Sequence, residues 1–150
     1  MRIVIGSDHA GWPMKASIVQ CVRALGHEVV DVGCHNESPV DFPDIARTLT
    51  GAITSGDADR GIMVCGTGVG ACIAANKVSG IRAAVCHDVH SAHQCIEHDD
   101  VNVICIGAQI VGPWLANDLV TAYLNAHFST DADFLRRVEK LRQMDGSAVS

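Results

Sequence analysis

The sequence predicts an α/β fold, a three-layer Rossmann-like domain built around a five-stranded parallel sheet. Short apolar runs alternate with segments of helical periodicity along the 150 residues. Each short run is continuously apolar, which is typical of strands buried on both faces. With 48% hydrophobic residues and no repeat or linker, residues 1–150 are expected to form a single domain, with 146–150 as a frayed tail.

The predicted elements follow one another as strand, helix, strand. The strands are assigned to residues 2–5, 28–32, 62–64, 81–85 and 103–106. Proline marks the first turn of three helices, at Pro13, Pro43 and Pro113, and Asp131 is a suitable N-cap for the last one. Segment 87–100 is expected to be helical in its middle, with His98 where a sheet-edge loop begins.

Composition excludes several classes of protein. The formal net charge of −6 leaves no basic face for nucleic acid. The N-terminus lacks a signal-peptide pattern and no apolar run approaches the roughly 20 residues of a membrane span, so a cytoplasmic protein without a membrane partner is expected. The seven cysteines are odd in number and include no Cys-x-x-Cys pair, which favours free buried thiols over disulfides or a metal site.

The segment from Gly61 to Asn76 carries the strongest chemical signal. A buried strand ends in Cys65, glycines follow at 66, 68 and 70, and a helical pattern starts at Val69. Alternate glycines leave a nest of uncovered amides, and the positive end of a helix favours a thiolate and developing negative charge. Core packing is the alternative for any buried cysteine, and it is the interpretation we give to Cys86 and Cys105.

Other polar residues also follow strands, so they are expected at the same sheet edge. Asp8 and His9 follow the first strand, with simple capping as the alternative, and His87 and Asp88 follow the fourth. An imidazole such as that of His98 suits proton transfer near neutrality. Four further residues have solvated surface as their simplest interpretation: His90, His93, Arg136 and Arg137.

The glycine loop also fits a loose dinucleotide fingerprint. Residues 66–71 read Gly-Thr-Gly-Val-Gly-Ala, and Asp88 lies about 20 residues further on. The fingerprint normally follows the first strand of its unit, however, and the chain has no residues left for a substrate domain. A dinucleotide-binding domain is therefore kept as the alternative from another functional class.

Several motifs together resemble one known family. They are Asp8-His-Ala-Gly11, Asp41-Phe-Pro43, Cys65-Gly-Thr-Gly-Val-Gly70, Ala74-Ala-Asn-Lys77, Gly80-Ile-Arg82, His98 and Ile110-Val-Gly112. In order and spacing they are similar to the ribose-5-phosphate isomerase B and galactose-6-phosphate isomerase family, over nearly the whole chain.

This resemblance implies an aldose–ketose isomerase that works through a cis-enediolate and needs no cofactor. It implies that Cys65 moves a proton between C1 and C2, that Thr67 positions the reacting oxygens, and that His98 assists ring opening. The amides of Gly66, Gly68, Val69 and Gly70 would form an anion hole, and Asp8 would contact sugar hydroxyls. Family members are dimers or dimers of dimers whose active sites are completed by the neighbouring chain.

The chain departs from the family pattern around the far end of the substrate. Gln109 and Asp133 stand where arginines are usual, Asp99 where asparagine is usual, and Phe42 where tyrosine is usual. Only Arg137 matches a phosphate-binding arginine, with His9 nearby and Arg136 as a possible substitute. Ribose 5-phosphate is the family default, whereas the lost cations favour a non-phosphorylated or altered sugar as the alternative.

Overall fold

The computed structural model describes residues 1–145 and contains one five-stranded sheet flanked by helices. The strands are β1 (Arg2–Ser7), β2 (Glu28–Asp31), β3 (Arg60–Cys65), β4 (Ala83–Val85) and β5 (Val103–Gly107). The helices are α1 (Trp12–Ala24), α2 (Phe42–Thr54), α3 (Val69–Ala75), α4 (Val89–Asp99), α5 (Pro113–Asn125) and α6 (Ala132–Met144). The tail predicted to fray, 146–150, lies outside the described residues.

All strand pairs are parallel, in the order β2-β1-β3-β5-β4. The chain leaves β1 first for β2 on one side and then for β3 on the other, so the order reverses between β1 and β3. Such a switch point opens a crevice at the carboxyl ends of the two strands, where ligands bind in open α/β sheets. Residues 8–11 and the glycine loop after Cys65 border this crevice.

The sheet is covered on both faces, which confirms the predicted three-layer Rossmann-like fold. Helices α1, α4 and α5 cover one face, with Ile18, Ile96 and Leu119 fully or almost fully buried. Helices α2 and α3 cover the other, with Leu49 and Ala71 buried. Helix α6 packs against α4 at the outside of this arrangement.

No helix described within residues 1–145 is long and apolar enough to cross a membrane.

Several predicted boundaries differ from the observed ones by one or more residues, and two of the differences have a clear physical cause. The fourth strand begins at Ala83 rather than at residue 81, because the Arg82 amide donates to the Asn102 side chain (2.8 Å) instead of joining the ladder. Helix α4 continues through Asp99, so His98 lies in its last turn and not in a loop. The Asp100 backbone, in the left-handed conformation at φ 49°, ends that helix.

Asn76, part of the Ala-Ala-Asn-Lys motif, holds the start of β4. Its side-chain amide donates to the Ala83 carbonyl (2.9 Å), and its oxygen accepts from the Ala83 amide (2.8 Å). The side chain thus imitates a strand partner for β4. This motif residue has a structural explanation that needs no substrate.

Candidate active site

Cys65 is the last residue of β3 and is 5% exposed. Its neighbour across the switch point is Asp8, whose amide donates to the Val64 carbonyl at 3.2 Å. Between them Gly11 packs so closely that a Cβ there would lie 2.2 Å from the Val64 oxygen. The backbones at Cys65 and Asp8 are therefore held close to one narrow contact between Gly11 and Val64.

The glycine loop wraps its own amide onto the Cys65 sulfur. Gly68 adopts φ 80°, a left-handed conformation that favours glycine, and its N–H donates to Cys65 Sγ at 3.0 Å. Helix α3 begins at the next residue, Val69. The Cys65 sulfur therefore accepts an amide hydrogen bond beside the first turn of a helix.

Thr67 is exposed at the tip of this loop, and its Oγ1 accepts weakly from the Val69 amide at 3.4 Å. Two glycines of the loop, Gly66 and Gly70, pack against side chains from other segments. A Cβ at Gly66 would meet Gln109 Oε1 at 3.1 Å, and one at Gly70 would meet the Phe42 ring at 2.9 Å. Gln109 and Phe42, two positions that depart from the family pattern, thus form walls of the loop.

Asp8 and His9 both make hydrogen bonds within the fold. Asp8 Oδ1 accepts from the Gly11 amide (2.9 Å) at the start of α1, and His9 Nδ1 accepts from the Val40 amide (3.3 Å). The capping alternative considered for this pair therefore holds in part. Asp8 retains its second carboxylate oxygen, and His9 its Nε2, for other contacts.

The remaining predicted residues lie at the opposite edge of the sheet. The Asp99 carbonyl accepts from Arg82 Nε (3.2 Å), and Arg82 immediately precedes the first residue of β4. His98 belongs to the same helix end. Because β3 advances roughly 13 Å between Gly61 and Cys65, His98 and Asp99 are separated from the Cys65 thiol of their own chain by about the depth of the sheet.

His98 belongs to a stack with two residues of α6. Its ring lies 4.0 Å from that of Phe134, centroid to centroid, at an interplanar angle of 15°. The Arg137 guanidinium carbon lies 5.5 Å from the Phe134 ring centroid. Sequence analysis missed Phe134 because it assigned the residue no role. Phe134 belongs to none of the motifs that carry the family resemblance.

Asp133 forms ion pairs with two arginines of α6, Arg136 and Arg137. Its carboxylate is 2.6 Å from Arg136 and 3.9 Å from Arg137, and the hydrogen bond from Arg136 lowers the pKa of Asp133. All three side chains are more than half exposed. The carboxylate that replaces an arginine is therefore already paired, which partly offsets its repulsion of an anion.

A second cysteine near the loop has a shifted pKa. A side-chain hydrogen bond with Cys105 lowers the pKa of Cys72 to about 7, while partial burial opposes that shift. The Cys72 sulfur lies 3.3 Å from the Ala83 carbonyl, on the β4 side of α3. It therefore has a lowered pKa without the Gly68 contact that Cys65 makes.

The structure does not favour the dinucleotide alternative. The glycine loop follows β3, and Asp88, which that interpretation needs for a ribose, caps α4 instead. Both Asp88 oxygens accept from Ser91, from its amide and from its hydroxyl at 2.7 Å each, and these bonds lower the pKa of Asp88.

Across residues 1–145, no three His, Cys, Asp or Glu side chains are grouped to hold a metal ion.

Comparison with known proteins points in the same direction. The family described as Ribose/Galactose Isomerase matches residues 3–141. Ribose-5-phosphate isomerase B of Escherichia coli K12 is 42% identical, covering 85% of both chains. D-erythrulose-4-phosphate isomerase of Pectobacterium atrosepticum is 43% identical, again over 85% of both. Ribose-5-phosphate isomerase B of Clostridium thermocellum superposes with a TM-score of 0.94 at 42% identity, covering 99% of this chain and 100% of that one.

These matches span almost the whole chain at identities well above those at which only the fold is shared. They confirm the predicted resemblance and favour neither the dinucleotide-binding alternative nor the non-phosphorylated-sugar alternative, since both curated relatives are named for sugar phosphates. The chain belongs to the ribose/galactose isomerase family and is an aldose–ketose isomerase.

Proposed function

We propose that the substrate is a short sugar phosphate and that Cys65 is the base that moves the proton. The observation that carries this proposal is the Cys65 sulfur, buried at the β1/β3 switch point and bonded to the Gly68 amide at 3.0 Å. As a thiolate it would take the proton from C2 of the open-chain aldose, leaving a cis-enediolate, and return it to C1 to give the ketose. Amides of the glycine loop and Thr67 would stabilise the enediolate oxygens.

We propose that a second copy of the chain completes each site. His98 and Arg137 are stacked through Phe134 at the amino edge, whereas Cys65 lies at the carboxyl edge. A sugar held at Cys65 would meet His98 and Arg137 only from a neighbouring chain. His98 would then open the sugar ring, with Asp99 beside it, while Asp8 and Gln109 would contact the substrate from the chain that supplies the base.

Exposed apolar side chains support such an assembly. Val69 and Ile73, on α3 beside the glycine loop, are 52% and 57% exposed. On α6 only Val138 is buried, while Leu135 and Leu141 remain 48% and 40% exposed. Helices that leave this much apolar surface uncovered are typical of a protein–protein contact. We infer a homodimer or a dimer of dimers that packs α6 against a partner, with one partner's amino edge facing the other's glycine loop.

For the phosphate, Arg137 and His9 are the proposed anchors, with Arg136 partly occupied by Asp133. Two arginines of the family pattern are absent, so phosphate binding is expected to be weaker than usual for the family.

The seven cysteines, all free, support a reducing compartment such as the cytoplasm.

A substrate panel tests this proposal. We would measure kcat/KM for ribose 5-phosphate, D-erythrulose 4-phosphate and free ribose with the wild-type protein and with Arg137→Ala. We expect the phosphorylated sugars to be preferred, and Arg137→Ala to raise KM for them by about tenfold or more, which is the loss of one charge-assisted hydrogen bond. Faster turnover of free ribose, unaffected by Arg137→Ala, would contradict a phosphate-binding site.

A further inference from the structure

His87 makes a contact for which the proposed chemistry gives no reason. Strand β4 ends at Val85, while β5 continues to Gly107. The last backbone bond between them runs from the Cys86 amide to the Cys105 carbonyl at 3.2 Å. Two residues further along β5, the Gly107 amide donates instead to His87 Nε2 at 2.9 Å. The imidazole therefore extends the ladder beyond the end of β4.

This hydrogen bond specifies the state of the ring. An amide can donate to Nε2 only if that nitrogen carries a lone pair, so the proton of the neutral ring is on Nδ1. A histidinium, or the other neutral tautomer, would place an N–H against the Gly107 N–H. The contact therefore requires one of the three protonation states that histidine can adopt.

Gly107 lies directly beneath the glycine loop. A Cβ at Gly107 would lie 2.7–2.8 Å from Thr67 backbone atoms, so the two backbones are in contact. The next two amides of this turn, those of Ala108 and Gln109, donate to the carbonyls of Cys65 (2.8 Å) and Gly66 (3.0 Å). The position of the glycine loop backbone therefore depends on the position of the turn at residues 107–109.

We propose that His87 is a positioning residue for isomerisation: by accepting from the Gly107 amide it fixes the turn at residues 107–109, which contacts the backbone of Cys65, Gly66 and Thr67. It acts through Gly107 and does not touch the substrate. Displacing a catalytic loop by a fraction of an ångström lowers turnover more than it lowers substrate binding, because loop amides are aligned with charge that develops only in the transition state. This inference rests on the proposed role of Cys65.

The test compares His87→Leu, which removes the acceptor, with His87→Gln, which keeps an acceptor oxygen at a similar distance. His90→Leu, at an exposed position on α4, is the matched control. We expect His87→Leu to lower kcat by about 10- to 100-fold with KM changed by less than about threefold, His87→Gln to recover most of kcat, and His90→Leu to behave as wild type.

Wild-type kcat in folded His87→Leu would overturn the inference, provided that Cys65→Ala is inactive. If both variants are fully active, the proposed role of Cys65 fails as well. A nitrogen-15 NMR spectrum of the wild-type imidazoles does not depend on folding of any variant. It should show His87 protonated on Nδ1 alone, and a His87 protonated on Nε2 would overturn the inference.

Discussion

The rings of His98 and Phe134 stack 4.0 Å apart, and this contact joins the end of α4 to α6. Because it lies at the amino edge, we propose that His98 opens the sugar ring in one site of an assembly while Cys65 of the same chain acts as base in another. If each site is shared in this way, catalysis requires two chains to associate. A shared site can be tested by mixing two inactive variants.

We predict that Cys65→Ala and His98→Asn chains, each inactive alone, regain activity when mixed. If equal amounts exchange subunits at random, half of the dimers are mixed and each has one intact site, so about a quarter of wild-type activity should return. Refolding from denaturant ensures exchange, and mass spectrometry of intact dimers measures it. Mixed dimers without any activity would place Cys65 and His98 in the site of one chain.

A second prediction concerns the carboxylate on α6. Asp133→Asn should lower KM for ribose 5-phosphate, because it removes a negative charge and releases Arg136 and Arg137 toward the phosphate. The Asp133 pKa is lowered by Arg136, so its carboxylate is charged at neutral pH and the effect should be present there. Glu139→Gln removes a carboxylate elsewhere on the helix and is the control. An unchanged or higher KM in Asp133→Asn would show that Asp133 orients the arginines productively.

The third prediction is about stability. Asn76→Ala deletes both side-chain hydrogen bonds to Ala83 and should lower the free energy of unfolding by about 1–2 kcal/mol. Lys77→Ala, at the next exposed position, should change it by less than about 0.5 kcal/mol. Urea denaturation of both variants measures the difference. Equal stabilities would refute the structural role given to Asn76.

The fourth prediction uses the pKa of Cys72, lowered to about 7 chiefly by its hydrogen bond with Cys105. A lowered pKa populates the thiolate at a lower pH. The rate at which iodoacetamide alkylates Cys72 should therefore increase with pH through pH 7 and level off at higher pH. Mass spectrometry of labelled peptides follows the site, and Cys72→Ser removes it. A rate that still climbs steeply above pH 8 would indicate an ordinary thiol.

The sequence was sufficient to predict the parallel sheet, its five strands and the position of Cys65, because these depend on local patterns. Continuous apolar runs define buried strands, and the glycines after Cys65 can form only a tight turn there. His98 was misplaced because the polar stretch Glu97 to Asp100 looks like a loop, whereas burial of Ile96 and the cap at Asp100 keep it helical.

Contacts between distant segments were not predictable. The stack of His98 on Phe134 joins two helices more than 30 residues apart, and the pairing of His87 with Gly107 depends on how far β4 falls short of β5. Neither leaves a periodic pattern in the sequence. Both arise from the registers of the sheet and the packing of α6, which only the folded chain defines.

The central claim is that Cys65 transfers the proton. Its most direct test follows ribose 5-phosphate in D₂O by proton NMR, with wild type, Cys65→Ala and Cys72→Ala. Wild type and Cys72→Ala should form ribulose 5-phosphate with deuterium entering at C1, whereas Cys65→Ala, folded and able to bind the sugar, should give neither product nor exchange. Isomerisation or deuterium exchange by Cys65→Ala at a rate near that of wild type would contradict the account.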